Sequence, residues 1–246
     1  MARPKALYRT ASNPLLIKPG RSLPAEVAVI GAGTIGPDIG YYLKSAMPGC
    51  RLVLVDVAEA PLKRAEQRIT DYTVKAVEKK KLRPEQAAAV RENIVFTTDY
   101  GRIKGCGLVI EAATENIPLK RKIFAAIEGI VAPDAIITSN TSSIPADRLF
   151  GNMQHPQRAT VTHFFAPAWR SLPVEVISWE RVSQGVLDYL FWFFAQTGKA
   201  PSLANPVEQR HEMVSSLEEI KNLLKEQNEL LQSGKVKVIV TEMPKS

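Results

Sequence analysis

The sequence predicts an α/β fold built on a doubly wound, mostly parallel sheet, and three observations predict it. From Glu26 onward, short apolar runs alternate with amphipathic stretches, the pattern produced when helices cover both faces of a parallel sheet. Within the amphipathic stretches, apolar positions recur three and four apart, as on one face of a helix. Three glycines in GAGTIG stand between the first apolar run and the first helix-like stretch. With 246 residues, 45% of them apolar, the chain can bury one substantial core.

Taken in order, strands are expected at 26–30 (EVAVI), 51–56 (RLVLVD), 94–97 (IVFT), 108–112 (LVIEA) and 135–138 (AIIT), with 159–163 (ATVTH) and 173–178 (PVEVIS) closing the set. Helices are expected between them at 35–47, 60–80, 84–92, 118–131 and 183–197, and Pro61, Pro84 and Pro118 suit first-turn positions. Pro201 and Pro206 in TGKAPSLANP (197–206) bracket a break. Beyond it, residues 208–232 read as a charged helix in which Leu217, Leu224 and Leu231 fall seven apart, with Met213 and Ile220 beside them. That stripe suits a helix lying on the domain or a short coiled coil, and residues 235–243 (KVKVIVTEM) alternate like an edge strand. Three segments follow: a basic N-terminal arm (1–25), a doubly wound domain (26–206), and a charged helical tail with a terminal strand (207–246).

Composition narrows the function classes. The net charge of +7 comes from 32 basic against 25 acidic residues. That is a mild excess without a basic stripe interleaved with aromatics, so nucleic acid is not the expected partner. Cys50 and Cys106 have no metal-ligand spacing and read as buried packing residues in a reducing compartment; no metal is expected. No apolar run approaches the roughly 20 residues that span a bilayer, and no secretory signal is evident, so a cytoplasmic protein without a membrane partner is expected. Residues 1–25 carry Arg3, Lys5, Arg9, Lys18 and Arg21 without an acid, which suits a disordered arm or an organelle transit peptide.

Gly31, Gly33 and Gly36 fit G-x-G-x-x-G, and each has a physical reason: a tight turn, close approach of a pyrophosphate, and close packing of helix on strand. Thr34 and Ile35 fill the loop and lead into the helix, whose free N–H groups and dipole favour an anion. Asp56 ends the next strand about 20 residues after Gly36, where a carboxylate accepts hydrogen bonds from ribose hydroxyls and repels a 2′-phosphate. This context makes the pattern a Rossmann-type dinucleotide site selective for NAD.

Three further stretches end at the same sheet edge: EAATEN (111–116), SNTSS (139–143) and HFFAPAWRSLPVEVI (163–177). His163 closes one expected strand and Glu175 lies in the next. A carboxylate on one ring nitrogen fixes the tautomer and leaves the other to take a proton, which makes a general base. A strand-end histidine meeting an unrelated core carboxylate is the competing reading of the same pair. The SNTSS hydroxyls suit substrate bonding or capping, and Glu111 or Glu115 stands where it could bond the nicotinamide ribose. His155 and His211 read as solvated.

These residues, in this order, resemble the NAD-binding half of the 3-hydroxyacyl-CoA dehydrogenase family, a fatty-acid β-oxidation family, over about Val27 to Pro201. The likeness rests on GAGTIG, the strand ending in Asp56, VIEAATEN, SNTSS, HFFAP and PVEVI. It implies His163 as general base, Glu175 as its orienting partner, and Ser142 as hydrogen-bond donor to the reacting oxygen. It further implies Asp56 at the adenosine ribose, Glu115 and Lys120 near the nicotinamide, and Asn140 as a cofactor contact. The implied oxidoreductase reaction moves a hydride between NAD and C3 of an acyl-CoA substrate.

Two departures accompany the resemblance. Ala166 stands where the family usually carries Asn, and residues 207–246 do not continue into the helical domain that supplies much of the acyl pocket. A homo-oligomer or a partner subunit completing the site is therefore expected. The alternative is a non-catalytic NAD-binding or structural module with an assembly tail.

Overall fold

The computed structural model describes residues 19–204 and 221–229. The chain divides into two compact units, Met1–Ala204 and Asn205–Ser246.

In the first unit, β1 (Glu26–Ile30), β2 (Arg51–Val55), β3 (Ile94–Thr97), β4 (Leu108–Glu111), β5 (Ile136–Ser139), β6 (Ala159–Phe164), β7 (Pro173–Ile177) and β8 (Ala200–Ala204) form one sheet. Their order is β3-β2-β1-β4-β5-β6-β7-β8. Pairing is parallel from β3 to β6, turns antiparallel between β6 and β7, and is parallel again between β7 and β8. The helices are α1 (Gly36–Ala46), α2 (Glu59–Glu78), α3 (Pro84–Arg91), α4 (Ile117–Ile130), α5 (Ala146–Phe150) and α6 (Gln184–Gln196).

The alternation of β1 shows how the core is divided. Val27 and Val29 face a cluster that includes Ile39 and Leu43 of α1 and Leu190 and Phe193 of α6. Ala28 and Ile30 face the opposite cluster, with Ile123, Phe124 and Ile127 of α4 and Phe150 of α5. Burial on both faces is what a near-continuous apolar strand requires. Both cysteines are buried, and burial lifts the Cys50 thiol to about 11 and the Cys106 thiol to about 12, so neither is a reactive nucleophile.

Between residues 26 and 197 the expected strands and helices form within two residues of their expected ends, the short helix α5 is added to them, and two expectations are corrected. Residues 200–204, expected to lie in a break, make β8 at the sheet edge, where Pro201 has no amide to offer a further neighbour. The N-terminal arm is not wholly free: Arg21 donates to the Gly107 carbonyl at 2.9 Å and ties residues 19–25 to the start of β4. Residues 1–18 of the arm lie outside the described residues.

Of the second unit, residues 221–229 are described; they form an exposed helix with Lys225 4.0 Å from Glu229. Leu224 is 54% exposed. Leu217, Leu231, Met213, Ile220, His211 and the terminal strand expected at 235–243 lie outside the described residues. No described helix is long and apolar enough to cross a membrane.

Candidate active site

The C-terminal edge of the parallel strands collects the polar groups of the chain. Gly31 leaves β1 at φ +107°, a left-handed conformation that favours glycine, and a Cβ there would lie 2.7 Å from the Ala112 carbonyl oxygen. A Cβ at Gly36 would run into the carbonyl of Gly31. Gly33 differs: a Cβ there would meet nothing within 4 Å, so no protein atom requires that glycine. The space it leaves open lies over the start of α1, where Ile35 supplies no capping side chain and the first intrahelical bond runs from the Ile39 amide to the Ile35 carbonyl. Unpaired first-turn amides beside an open glycine fit a diphosphate.

Asp56 follows β2 directly. One of its carboxylate oxygens accepts from the Ala32 amide at 2.7 Å and the other from the Ala58 amide at 3.3 Å. It therefore braces the glycine loop while standing half-buried at that edge.

A second polar cluster follows β4 and β5. Glu111 is fully buried, accepting from Lys120 Nζ at 2.7 Å, Ser139 Oγ at 2.5 Å and the Ala113 amide at 2.7 Å. Lys120 is 1% exposed, and its ammonium also reaches Glu115 at 3.1 Å and the Ala113 carbonyl at 3.1 Å. Glu115 itself is 41% exposed and is held by the Thr141 hydroxyl. Of the two acids expected at the nicotinamide ribose, Glu111 is thus corrected to an internal partner, and Glu115 is the one that faces outward. Lys120 spends its ammonium on Glu111, the Ala113 carbonyl and Glu115, so it holds Glu115 rather than presenting its own charge.

Asn140 joins three strands at this edge. Its amide donates to the Glu111 carbonyl at 2.7 Å, and its Oδ1 accepts from the Phe164 amide at 2.9 Å. Ser142 follows in an exposed turn. Thr141 caps that turn, accepting from the Ile144 amide at 3.1 Å.

The β6–β7 pairing sets His163 directly opposite Glu175. Nδ1 of the imidazole lies 2.9 Å from Glu175 Oε2, with the side chains 20% and 27% exposed. Glu175 thus takes up Nδ1 of the ring, with Nε2 on the ring's other side. Phe165 packs on the imidazole with ring centroids 4.7 Å apart.

Sequence reasoning missed a network behind the glycine loop. Asp38, in the first turn of α1, is 2% exposed. Arg68 of α2 lies 2.9 Å from its Oδ1, and Tyr72 donates to the same oxygen at 2.9 Å. Burial raises the Asp38 carboxyl above its ordinary value, against the opposing pull of Tyr72, Arg68 and the Ala168 amide. Arg68 also donates to the Thr34 carbonyl at 2.9 Å, fastening the glycine loop from behind. The signal available was an acid inside an apolar helix face, which has no partner visible in sequence. Among the described residues, no cluster of His, Cys, Asp or Glu has metal-holding geometry.

A cavity of about 420 Å³ opens between α1, α2 and the β6–β7 loop. Tyr41, Tyr72 and Trp169 line it, with Lys75, Lys79 and Arg170 among its basic residues.

Comparison with known proteins agrees with this architecture. The family model described as 3-hydroxyacyl-CoA dehydrogenase, NAD binding domain, matches residues 26–207. The chain is 33% identical over 180 residues to the fatty acid oxidation complex subunit alpha of Colwellia psychrerythraea, covering 73% of this chain and 25% of that protein. Among solved structures, it is similar to the 3-hydroxybutyryl-CoA dehydrogenase of Escherichia coli, at 31% identity and TM-score 0.70 over 73% of this chain and 38% of the other. It is also similar to the (S)-3-hydroxybutyryl-CoA dehydrogenase of Ralstonia eutropha, at 32% identity and TM-score 0.70 over 74% of this chain and 64% of the other. The chain thus spans between a quarter and about two thirds of the length of these relatives.

Proposed function

This chain belongs to the 3-hydroxyacyl-CoA dehydrogenase family through its NAD-binding domain, and we propose that it catalyses reversible hydride transfer between NAD and C3 of a 3-hydroxyacyl-CoA. The observation that carries the reading is the His163–Glu175 pair, held at 2.9 Å on the sheet edge that also bears the glycine turn. NAD, when bound, supplies the hydride acceptor. His163 takes the hydroxyl proton at Nε2 as the C3–H electron pair departs and the carbonyl forms; in the reverse direction it returns that proton. Glu175 keeps the Nδ1 proton in place and offsets the imidazolium charge. Ser142 donates to the reacting oxygen. Asp56 bonds the adenosine ribose, Glu115 the nicotinamide ribose, and Asn140 contacts the nicotinamide side.

The cofactor half of the reading rests on the open space at Gly33 and the unpaired amides of α1. The match covers the NAD-binding domain, residues 26–207, so the rest of the acyl pocket is assigned to structure outside that span.

Purified protein with NADH and acetoacetyl-CoA tests the proposal. Loss of NADH absorbance that falls about a hundredfold or more in His163→Ala supports it. NADH binding without turnover, alone or with a candidate partner, supports a non-catalytic NAD-binding module instead.

A further inference from the structure

The loop between His163 and Glu175 is gripped at one residue from two sides. Lys199, in the link between α6 and β8, is 3% exposed and donates to the carbonyls of Ala168 and Ser171. Its ammonium also lies 4.3 Å from the centroid of the Tyr42 ring of α1 and 6.0 Å from that of Phe164 of β6. The Tyr42 hydroxyl is itself taken up by Thr197. On the other side, the Ala168 amide faces the buried Asp38 carboxylate, which Arg68 and Tyr72 also face. Ala168 therefore lies between a carboxylate on the side of its amide and an ammonium on its carbonyl, and its side chain is fully buried.

A buried lysine whose ammonium faces two carbonyls and two aromatic rings is costly to keep, and apolar replacement of such groups is often neutral. Burial alone holds it well below the ordinary lysine value. The two carbonyls it serves lie in the loop that begins at Phe165, against the imidazole, and carries Trp169 into the stack on Tyr41 and Tyr72.

We propose that Lys199 is a positioning residue that clips the β6–β7 loop at Ala168 and Ser171, fixing the substrate-side wall next to His163. The clip rests on the reading of His163 as the reacting edge. It acts through the loop and touches neither the cofactor nor the reacting atoms.

Limited trypsin digestion of the full chain, mapped by mass spectrometry, reads the clip directly, because exposed Arg170 lies between the two gripped carbonyls. In Lys199→Met, cleavage at Arg170 accelerates about ten- to a hundredfold, the shift expected when a charge-assisted hydrogen bond is lost from a locally opening segment. Lys199→Arg, which keeps a charged donor, brings most of that protection back. With acetoacetyl-CoA, Lys199→Met raises KM about tenfold while NADH affinity holds, the pattern of lost substrate-side wall rather than lost cofactor binding. An unchanged cleavage rate in a folded Lys199→Met chain overturns the clip, and faster cleavage with unchanged KM overturns its role in positioning.

Should Lys199→Met not fold, lysine-selective nitrogen NMR of the unaltered protein decides. One slowly exchanging ammonium signal titrating near 8, with a contact to the Tyr42 ring, supports the clip, and its absence overturns it. The digestion and NMR readings need no turnover, so an inactive protein with a protected Arg170 removes the dehydrogenase reading and keeps the clip.

Discussion

His163 and Glu175 face each other across an antiparallel strand pair inside an otherwise parallel half-sheet, with 2.9 Å between Nδ1 and Oε2. The reversal of β7 is what makes them opposite neighbours. In the substitution Glu175→Gln, the amide presents an N–H or a carbonyl to Nδ1 and no longer dictates the tautomer or offsets the imidazolium. We expect the rate with acetoacetyl-CoA to fall about a hundred- to ten-thousandfold with NADH affinity retained, measured by stopped-flow turnover and by calorimetry.

Gly31 and Gly33 are predicted to part company when each becomes alanine. Gly33→Ala meets no protein atom, so its melting temperature stays within a degree or two of the parent, yet NADH binds about tenfold or more weakly because the new methyl takes cofactor space. Gly31→Ala forces a Cβ against Ala112 at a left-handed backbone and costs about 1–3 kcal/mol of stability. Thermal denaturation paired with NADH titration separates the two.

Arg68→Ala removes the charge partner of Asp38 and the donor to the Thr34 carbonyl at once. Because Arg68 is 36% exposed, the cost is that of unsatisfied groups rather than of a fully buried ion pair, about 1–3 kcal/mol. NADH affinity falls with it, as the glycine loop loses its rear support. Urea denaturation and fluorescence titration report the two effects.

Lys199 gives a pH dependence whose sign is opposite to that of a paired lysine. Burial brings its ammonium down to about 8, so between pH 8 and the ordinary lysine range the unfolded chain holds more protons than the folded one, and stability from this group rises with pH. Below pH 8 both states are charged and the contribution is flat. The difference in unfolding free energy between the parent and Lys199→Met should therefore move toward the parent by up to about 3 kcal/mol from pH 8 to 10.5, as checked by urea titrations across that range.

Local pattern carried much of the fold. The apolar runs of β1, β2 and β4 are buried on both faces, and GAGTIG announces its own turn, so period and glycine spacing suffice there. β8 was hidden because APSLA contains a proline and no apolar run; its place at the edge comes from pairing with β7, a tertiary fact. At the candidate site, the strand-end residues His163, Glu175 and Asp56 were legible because sheet topology brings strand ends together. Asp38, Arg68 and Lys199 were not, since their partners lie on other elements and neither residue type nor spacing names them. Glu111 and Glu115, four apart and chemically alike, separate only through burial: one is wholly covered and the other open.

The enclosed lysine between Glu111 and Glu115 has one further effect. Its single positive charge offsets one of the two acids, so the edge beyond β4 and β5 keeps a surplus carboxylate at the exposed Glu115. That spot is suited to accept from neutral hydroxyls and unsuited to receive another anion.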